Sequence, residues 1–187
     1  MTKFDSIVKA IEATKGTPRT GWLLKGVPPA IAETIASHTY EAAIYSLLLS
    51  LGLKKHHVSI DPYKAVTLTL LHDVAEAFIG DIVKLVSDNK LKGAKERLEV
   101  EVVREYLGIE EVNKLIEEYY ERKTLEAKVA KLADLLATCI QAKRYMKLGY
   151  NVNDTYSRVK EGLKKCMTED KIIRSLKSLI EELTETS

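Results

Sequence analysis

The stretch LLHDVAEAFIGD, residues 70–81, sets one histidine and three carboxylates into a run whose Leu, Val, Ala and Phe positions repeat with helical spacing. Apolar residues that return every three to four positions define one face of a helix, whereas a half-buried strand alternates every two. The spacing predicts a helix over residues 62–79, stopped by Gly80. The same period recurs along nearly the whole chain, and strand-type alternation is nowhere sustained. The expected fold is all-α, a single domain over residues 1–187 built from about 7–9 helices. Helices are expected over residues 3–14, 34–51, 62–79, 91–107, 110–120, 124–148, 153–166 and 169–183. Glycines 52, 80, 108 and 149 follow four of these runs, where a left-handed residue closes a helix.

Composition narrows the function classes. The 187 residues are 45% hydrophobic, enough for one well-packed core, and no linker or composition break marks a second domain. Charges nearly cancel at +2 without a basic block, which gives no support to nucleic acid or a membrane surface as partner. No apolar stretch approaches the roughly 20 residues needed to span a bilayer. Cys139 and Cys166 lie far apart without CxxC spacing, which suits reduced thiols and a cytoplasmic setting. One long irregular segment remains, KGTPRTGWLLKGVPPA at residues 15–30, with the only tryptophan of the chain. Structureless segments of that length in a compact domain are often functional.

On a wheel of about 100° per residue, Ala65, Thr69, His72, Asp73 and Glu76 share one arc, opposite Val66, Leu70, Val74 and Phe78. Three ionisable groups this close, if buried, destabilise one another unless a positive charge holds them, and a divalent cation is the simplest holder. Two further helices offer partners. His38 lies near the start of an apolar run, and Asp134 is a lone acid amid Ala127, Ala130, Ala133 and Ala137, where an unpaired carboxylate would be costly. Each residue alone is compatible with an ordinary structural role. Two imidazoles and two carboxylates together suit Mn²⁺, Co²⁺, Fe²⁺, Ni²⁺ or Zn²⁺, with positions open for water and substrate. His56 and His57 lie between two helices and Lys131 one turn before Asp134, and both have simple structural readings.

The order His38, His72-Asp73, Asp134 resembles the H…HD…D signature of the HD-domain metal-dependent phosphohydrolases. HDVAEAFIGDI after the dyad and RTGW upstream, residues 19–22, are similar to the 5′-deoxynucleotidase branch, bacterial and eukaryotic. The resemblance runs from Arg19 to about Gln141. It implies an HD-domain helical bundle with its recognisable core at about residues 19–141, and helices 142–187 are expected to pack on that core. It implies His38, His72, Asp73 and Asp134 as ligands of a divalent ion, Mg²⁺ now included. Arg19 corresponds to the arginine that orients the substrate phosphate and Trp22 to the tryptophan that crowds the sugar 2′ position. Glu76 corresponds to the acid that positions or deprotonates the attacking water, and Asp81 to a substrate-contacting acid. In the eukaryotic branch Glu76, Asp81 and the Ile82 carbonyl correspond to a second metal site. Arg19 and Trp22 are separated by Thr-Gly, as in the eukaryotic branch; the bacterial enzyme has them adjacent.

The function expected is hydrolysis of deoxyribonucleoside 5′-monophosphates to deoxyribonucleoside and phosphate. The alternatives are another HD-type reaction on a triphosphate, a cyclic nucleotide or a guanosine polyphosphate, and a non-catalytic module that binds metal and nucleotide. The partner is a small-molecule nucleotide. The resemblance also implies a homodimer, with an interface sought on the helices after Gln141.

Overall fold

Helix-forming runs separated by short breaks give eleven helical segments in the computed structural model, which describes residues 3–81 and 89–185. They are α1 (Lys3–Gly16), α2 (Thr20–Leu23), α3 (Ile35–Lys55), α4 (Pro62–Leu71), α5 (Glu76–Ile79), α6 (Asn89–Tyr106), α7 (Glu110–Glu121), α8 (Leu125–Lys147), α9 (Asn153–Glu169), α10 (Lys171–Arg174) and α11 (Lys177–Glu185). Eight are of nine residues or more, and α2, α5 and α10 are single turns of four. The only β pairing among the described residues is an isolated antiparallel bridge between Pro18 and Thr34.

α8 is the axis of the bundle. It packs against α3, α4, α7, α9 and α11 and buries residues nearly all round, from Ala127 to Tyr145. Ala127, Ala130, Ala133 and Ala137 of α8, Ala42, Ala43 and Ser46 of α3 and Ala65 of α4 are all buried, and small side chains let packed helices approach closely. Leu49, Leu53, Leu132, Leu136 and Ile140 fill the main core, each stabilising by about 1.5–3 kcal/mol when fully buried.

Four expectations from the sequence need correction. The run 62–79 is not one helix: α4 ends at Leu71, His72–Ala75 form turns, and α5 begins at Glu76. Through this break the amides bond three residues back, Val74 to Leu71 at 3.1 Å, Ala77 to Val74 at 3.2 Å and Phe78 to Ala75 at 2.9 Å. This 3₁₀-type winding advances about 120° per residue, so the 100° wheel does not hold past Leu71. Second, the arc with Ala65, Thr69 and His72 is the buried one, and Leu70 on the opposite side is half exposed. Third, Gly52 does not end α3, which continues to Lys55. A Cβ on Gly52 would lie 3.0 Å from Leu179 Cδ2 and 3.2 Å from Leu176 Cδ2, so this glycine makes room for the C-terminal helices. The left-handed closing residue is His57 (φ 59°), whose N–H donates to the Lys54 carbonyl while Val58 N–H reaches Leu53. Gly80, Gly108 and Gly149 do have positive φ. Fourth, residues 169–183 are divided by a turn at Ser175–Leu176, and α9 extends to Glu169.

No helix among the described residues is long and apolar enough to cross a membrane. Exposed large apolar side chains after Gln141 are Leu148 and Ile172, whereas α3 presents Tyr40, Ile44, Leu48 and Leu51 along one side.

Candidate metal centre

Three helices converge on one buried point. α3 is started by Thr34, whose side chain accepts from Ser37 N–H while Ser37 returns the contact to the Thr34 amide, a reciprocal cap. That start fixes His38 one turn in, with no solvent exposure. His72 is the first residue past α4, and Asp134 lies midway along α8; both are buried. One ligand atom from each of His38, His72 and Asp134 lies within 4.8 Å of the other two, a group that could hold a metal ion. His38 Nε2 is 3.2 Å and His72 Nε2 3.8 Å from Asp134 Oδ1. Asp73 Oδ2 adds a carboxylate oxygen 3.1 Å from His72 Nε2.

The hydrogen bonds around these groups leave lone pairs facing inward. His72 Nδ1 sits 2.6 Å from the Thr69 carbonyl, which takes its proton and turns the bare Nε2 toward the carboxylates. A continuing helix would offer that same carbonyl to the Asp73 amide, so the imidazole and the break at His72 belong together. His72 Nε2, Asp73 Oδ2, His38 Nδ1 and Glu76 Oε2 are buried without a hydrogen-bond partner among the described residues. Each such atom costs about 1–3 kcal/mol. A proton on His72 or a cation among the acceptors relieves the conflict. Without a metal, burial opposes the His72 charge, yet Asp73 and Asp134 outweigh it and raise its pKa to about 9. The Asp134 carboxyl is held well below its ordinary range against burial, chiefly by Lys131, which donates to Oδ2, and then by the two imidazoles. The donor chemistry and the orphaned atoms fit a divalent cation.

The remaining sequence candidates are placed differently: Arg19 and Glu76 feel the charge of Asp73, Asp81 bonds α2, and Trp22 sits in an apolar cluster of its own. Arg19 is kept firmly protonated against burial by the charges of Asp73, Glu33, Asp134 and Glu76, and its Nη1 lies 3.6 Å from Glu33 Oε1. Its Nη1 also donates to Thr138 of α8 at 3.5 Å. Glu76 is buried, with its carboxyl pushed up to about 8 by burial and then by Asp73 and Asp81, against the pull of Lys95. Lys95 of α6 lies 3.1 Å from Glu76 Oε1 and 3.3 Å from Glu99. Asp81 accepts the Thr20 amide at 2.6 Å and so anchors the start of α2, the turn that carries Trp22. Trp22 is buried among Val27, Ala32, Ala142, Tyr145 and Val152, and its ring meets Tyr145 edge-on at 5.1 Å. Ile82 lies outside the described residues. His56 and His57 close α3, and Lys131 pairs with Asp134.

Sequence reasoning missed Glu33, Lys95 and Tyr119. Glu33 sits in the irregular segment before α3, where no periodicity flags it, yet its Oε1 accepts from Trp22 Nε1–H at 2.7 Å. Tyr119 stacks obliquely on His72 with centroids 5.5 Å apart, and its hydroxyl lies 3.4 Å from Asp134 Oδ2.

A family model described as HD domain matches residues 11–172. The chain belongs to the HD-domain family. Among curated relatives, the protein named 5′-deoxynucleotidase HDDC2 from Danio rerio is 30% identical over 147 residues, 75% of this chain and 68% of the relative. The protein named 5′-deoxynucleotidase hdd1 from Schizosaccharomyces pombe is 32% identical over 141 residues, 70% of this chain and 66% of the relative. The match thus spans about two thirds of the length of those relatives. Among solved structures, a conserved hypothetical protein from Pyrococcus furiosus superposes with a TM-score of 0.81 at 35% identity, covering 97% of this chain and 99% of the other. A protein from Pyrococcus horikoshii OT3 gives the same TM-score at 28% identity, over 98% and 99% of the two chains. The fold is therefore shared with both solved structures over nearly the whole chain.

Proposed function

We propose that the protein is a divalent-metal-dependent phosphomonoesterase that hydrolyses deoxyribonucleoside 5′-monophosphates to deoxyribonucleoside and phosphate. The observation that carries this reading is the buried His38, His72 and Asp134 group, which could hold a metal ion, with Arg19 reaching Thr138 one turn along α8 from Asp134. The relatives named 5′-deoxynucleotidase support the choice among HD-type reactions. His38, His72, Asp73 and Asp134 would hold the ion. Bound there, a divalent cation supplies Lewis acidity and a water of lowered pKa.

The chain's own residues do the rest. Arg19 grips the phosphate oxygens with its planar fork, meeting the charge that builds on them during transfer. Glu76 accepts a proton from the attacking water as the water oxygen bonds phosphorus and the bond from phosphorus to the 5′ oxygen breaks, and the departing 5′ oxygen takes up a proton to become the nucleoside hydroxyl. Asp81, by holding the Thr20 amide, fixes α2, and the buried Trp22 on that turn would limit the space at the sugar from behind. A second ion at Glu76, Asp81 and Ile82 belongs to this reading as well, in competition with the Lys95 ammonium at Glu76.

The reading includes a cytoplasmic homodimer. The free cysteines support the compartment, and the exposed α3 residues Tyr40, Ile44, Leu48 and Leu51 offer an apolar face. Sedimentation should give twice the chain mass; a monomer at working concentrations removes this part.

The decisive experiment incubates the protein with deoxy- and ribonucleoside 5′-monophosphates, with and without Co²⁺, Mn²⁺ or Mg²⁺. Metal-dependent release of phosphate, faster from the deoxy series, is expected. No release from any monophosphate sinks the reading, and nucleotide binding without turnover favours the non-catalytic module.

A further inference from the structure

Glu33 stands where the two halves of the centre touch. Its Oε1 accepts the Trp22 Nε1–H at 2.7 Å and lies 3.6 Å from Arg19 Nη1 and 3.7 Å from His38 Nδ1. The carboxylate is almost wholly buried, so these charges meet with little screening by water. Its backbone is fixed independently of its side chain. The Glu33 amide donates to the Tyr145 hydroxyl at 2.7 Å, that hydroxyl donates to the Ile31 carbonyl at 3.1 Å, and the Glu33 carbonyl accepts from the Arg19 amide at 2.9 Å. The bridge between Pro18 and Thr34 closes this frame on the other side.

His38 is the second group that Glu33 approaches. Its Nε2 faces Asp134, and its Nδ1 is buried with no hydrogen-bond partner among the described residues. An imidazole that offers the Nε2 lone pair to a cation must carry its proton on Nδ1, and a carboxylate facing that proton fixes the tautomer and strengthens the ligand. The carboxylate facing it is Glu33.

We propose that Glu33 is a positioning residue that locks Trp22, Arg19 and the His38 tautomer through one carboxylate oxygen, serving metal affinity and sugar discrimination together. The sugar part rests on the proposed deoxynucleotidase reading; the metal part does not. The frame built by the Glu33 backbone survives a change of side chain, so substitutions isolate the carboxylate.

Glu33→Gln keeps an oxygen for Trp22 and removes the charge; Glu33→Ala removes both. Titration of metal-free protein with Co²⁺ by calorimetry is expected to give an affinity about 10–100-fold weaker for either variant. Emission from Trp22, the only tryptophan, should stay close to that of the unaltered protein in Glu33→Gln and shift to the red in Glu33→Ala. The ratio of deoxy to ribo turnover should hold in Glu33→Gln and fall toward one in Glu33→Ala. Glu33→Asp should recover part of the affinity lost in Glu33→Gln. Unaltered Co²⁺ affinity in Glu33→Gln overturns the proposal, whether or not Glu33→Ala folds. A turnover ratio in folded Glu33→Ala equal to that of the unaltered protein overturns its sugar part. If the unaltered protein binds Co²⁺ but turns over no monophosphate, the deoxynucleotidase reading fails, while calorimetry and emission still decide the role of Glu33.

Discussion

At Glu76 two demands meet on one side chain. Burial and the neighbouring Asp73 and Asp81 favour the protonated acid, while Lys95 at 3.1 Å favours the carboxylate. A group so balanced can take a proton and release it near neutrality, which a general base requires. It lies outside the His38, His72 and Asp134 group that could hold a metal ion. Glu76→Gln should lower turnover by about 10²–10⁴-fold. One equivalent of metal per chain, read by elemental analysis of the purified variant, should remain in Glu76→Gln, since only a second ion would depend on this carboxyl. Loss of that last equivalent along with turnover would make Glu76 a ligand of the first ion instead. The contrasting residue is Asp134. It was legible in the sequence because an acid among alanines on a helix needs a reason. Glu33 was not legible, since its meaning lies in Trp22, Arg19 and His38, contacts made only when the chain folds back across the Pro18 bridge.

At the scale of elements, periodicity identified the long helices and failed where tertiary contacts override it. Gly52 reads as a helix stop, but packing against Leu176 and Leu179 is what demands a glycine. The break after Leu71 is likewise invisible in apolar spacing, because a side chain, His72, bonds the Thr69 carbonyl there. Gly52→Val should therefore destabilise the fold by about 1–3 kcal/mol through overpacking. For a chain of this size each kcal/mol lowers the melting temperature by about 2–4 °C. Metal affinity should not follow, because Gly52 lies about 21 Å along α3 from His38 at 1.5 Å per residue. An unchanged melting temperature would show that the leucines move aside freely. A second element test concerns Asp170, which accepts from the Ile172 and Ile173 amides at the start of α10 and pairs with Lys128 of α8 at 2.7 Å. Asp170→Ala should cost about 0.5–2 kcal/mol in chemical denaturation, and Asp170→Asn less, since it keeps the cap. Lys128 and then the two amides hold the Asp170 carboxyl below its usual 3.8, against slight burial. A depressed folded-state pKa gives stability that is complete above the unfolded value of about 3.9 and is lost as pH falls through the lower folded value. The gap between the unaltered protein and Asp170→Asn should thus close in acid; a gap that persists there would assign it to packing.

The whole molecule is organised so that α3, α4 and α8 each bring one costly group to a shared interior point. Left to themselves, His72 Nε2 and Asp73 Oδ2 confront one another at 3.1 Å without an aligned hydrogen bond. The packed alanines around α8 allow little relaxation, so the conflict is resolved by charge rather than by movement. A cation bound there ties three helices that are distant in sequence, and an unfolded chain offers no such site. Binding to the folded state alone stabilises by about 2.7 kcal/mol when free ligand is a hundredfold above Kd. With about 2–4 °C per kcal/mol for this size of chain, saturating Co²⁺ or Mn²⁺ should raise the melting temperature by about 5–11 °C. A chelator should reverse the shift. Asp134→Asn, which removes the carboxylate between His38 and Lys131, should abolish it while leaving a cooperative transition. A melting temperature indifferent to every divalent ion tried would mean that the orphaned acceptors are satisfied by a proton on His72. The convergence of α3, α4 and α8 would then be a buried acid–base cluster and not a metal centre.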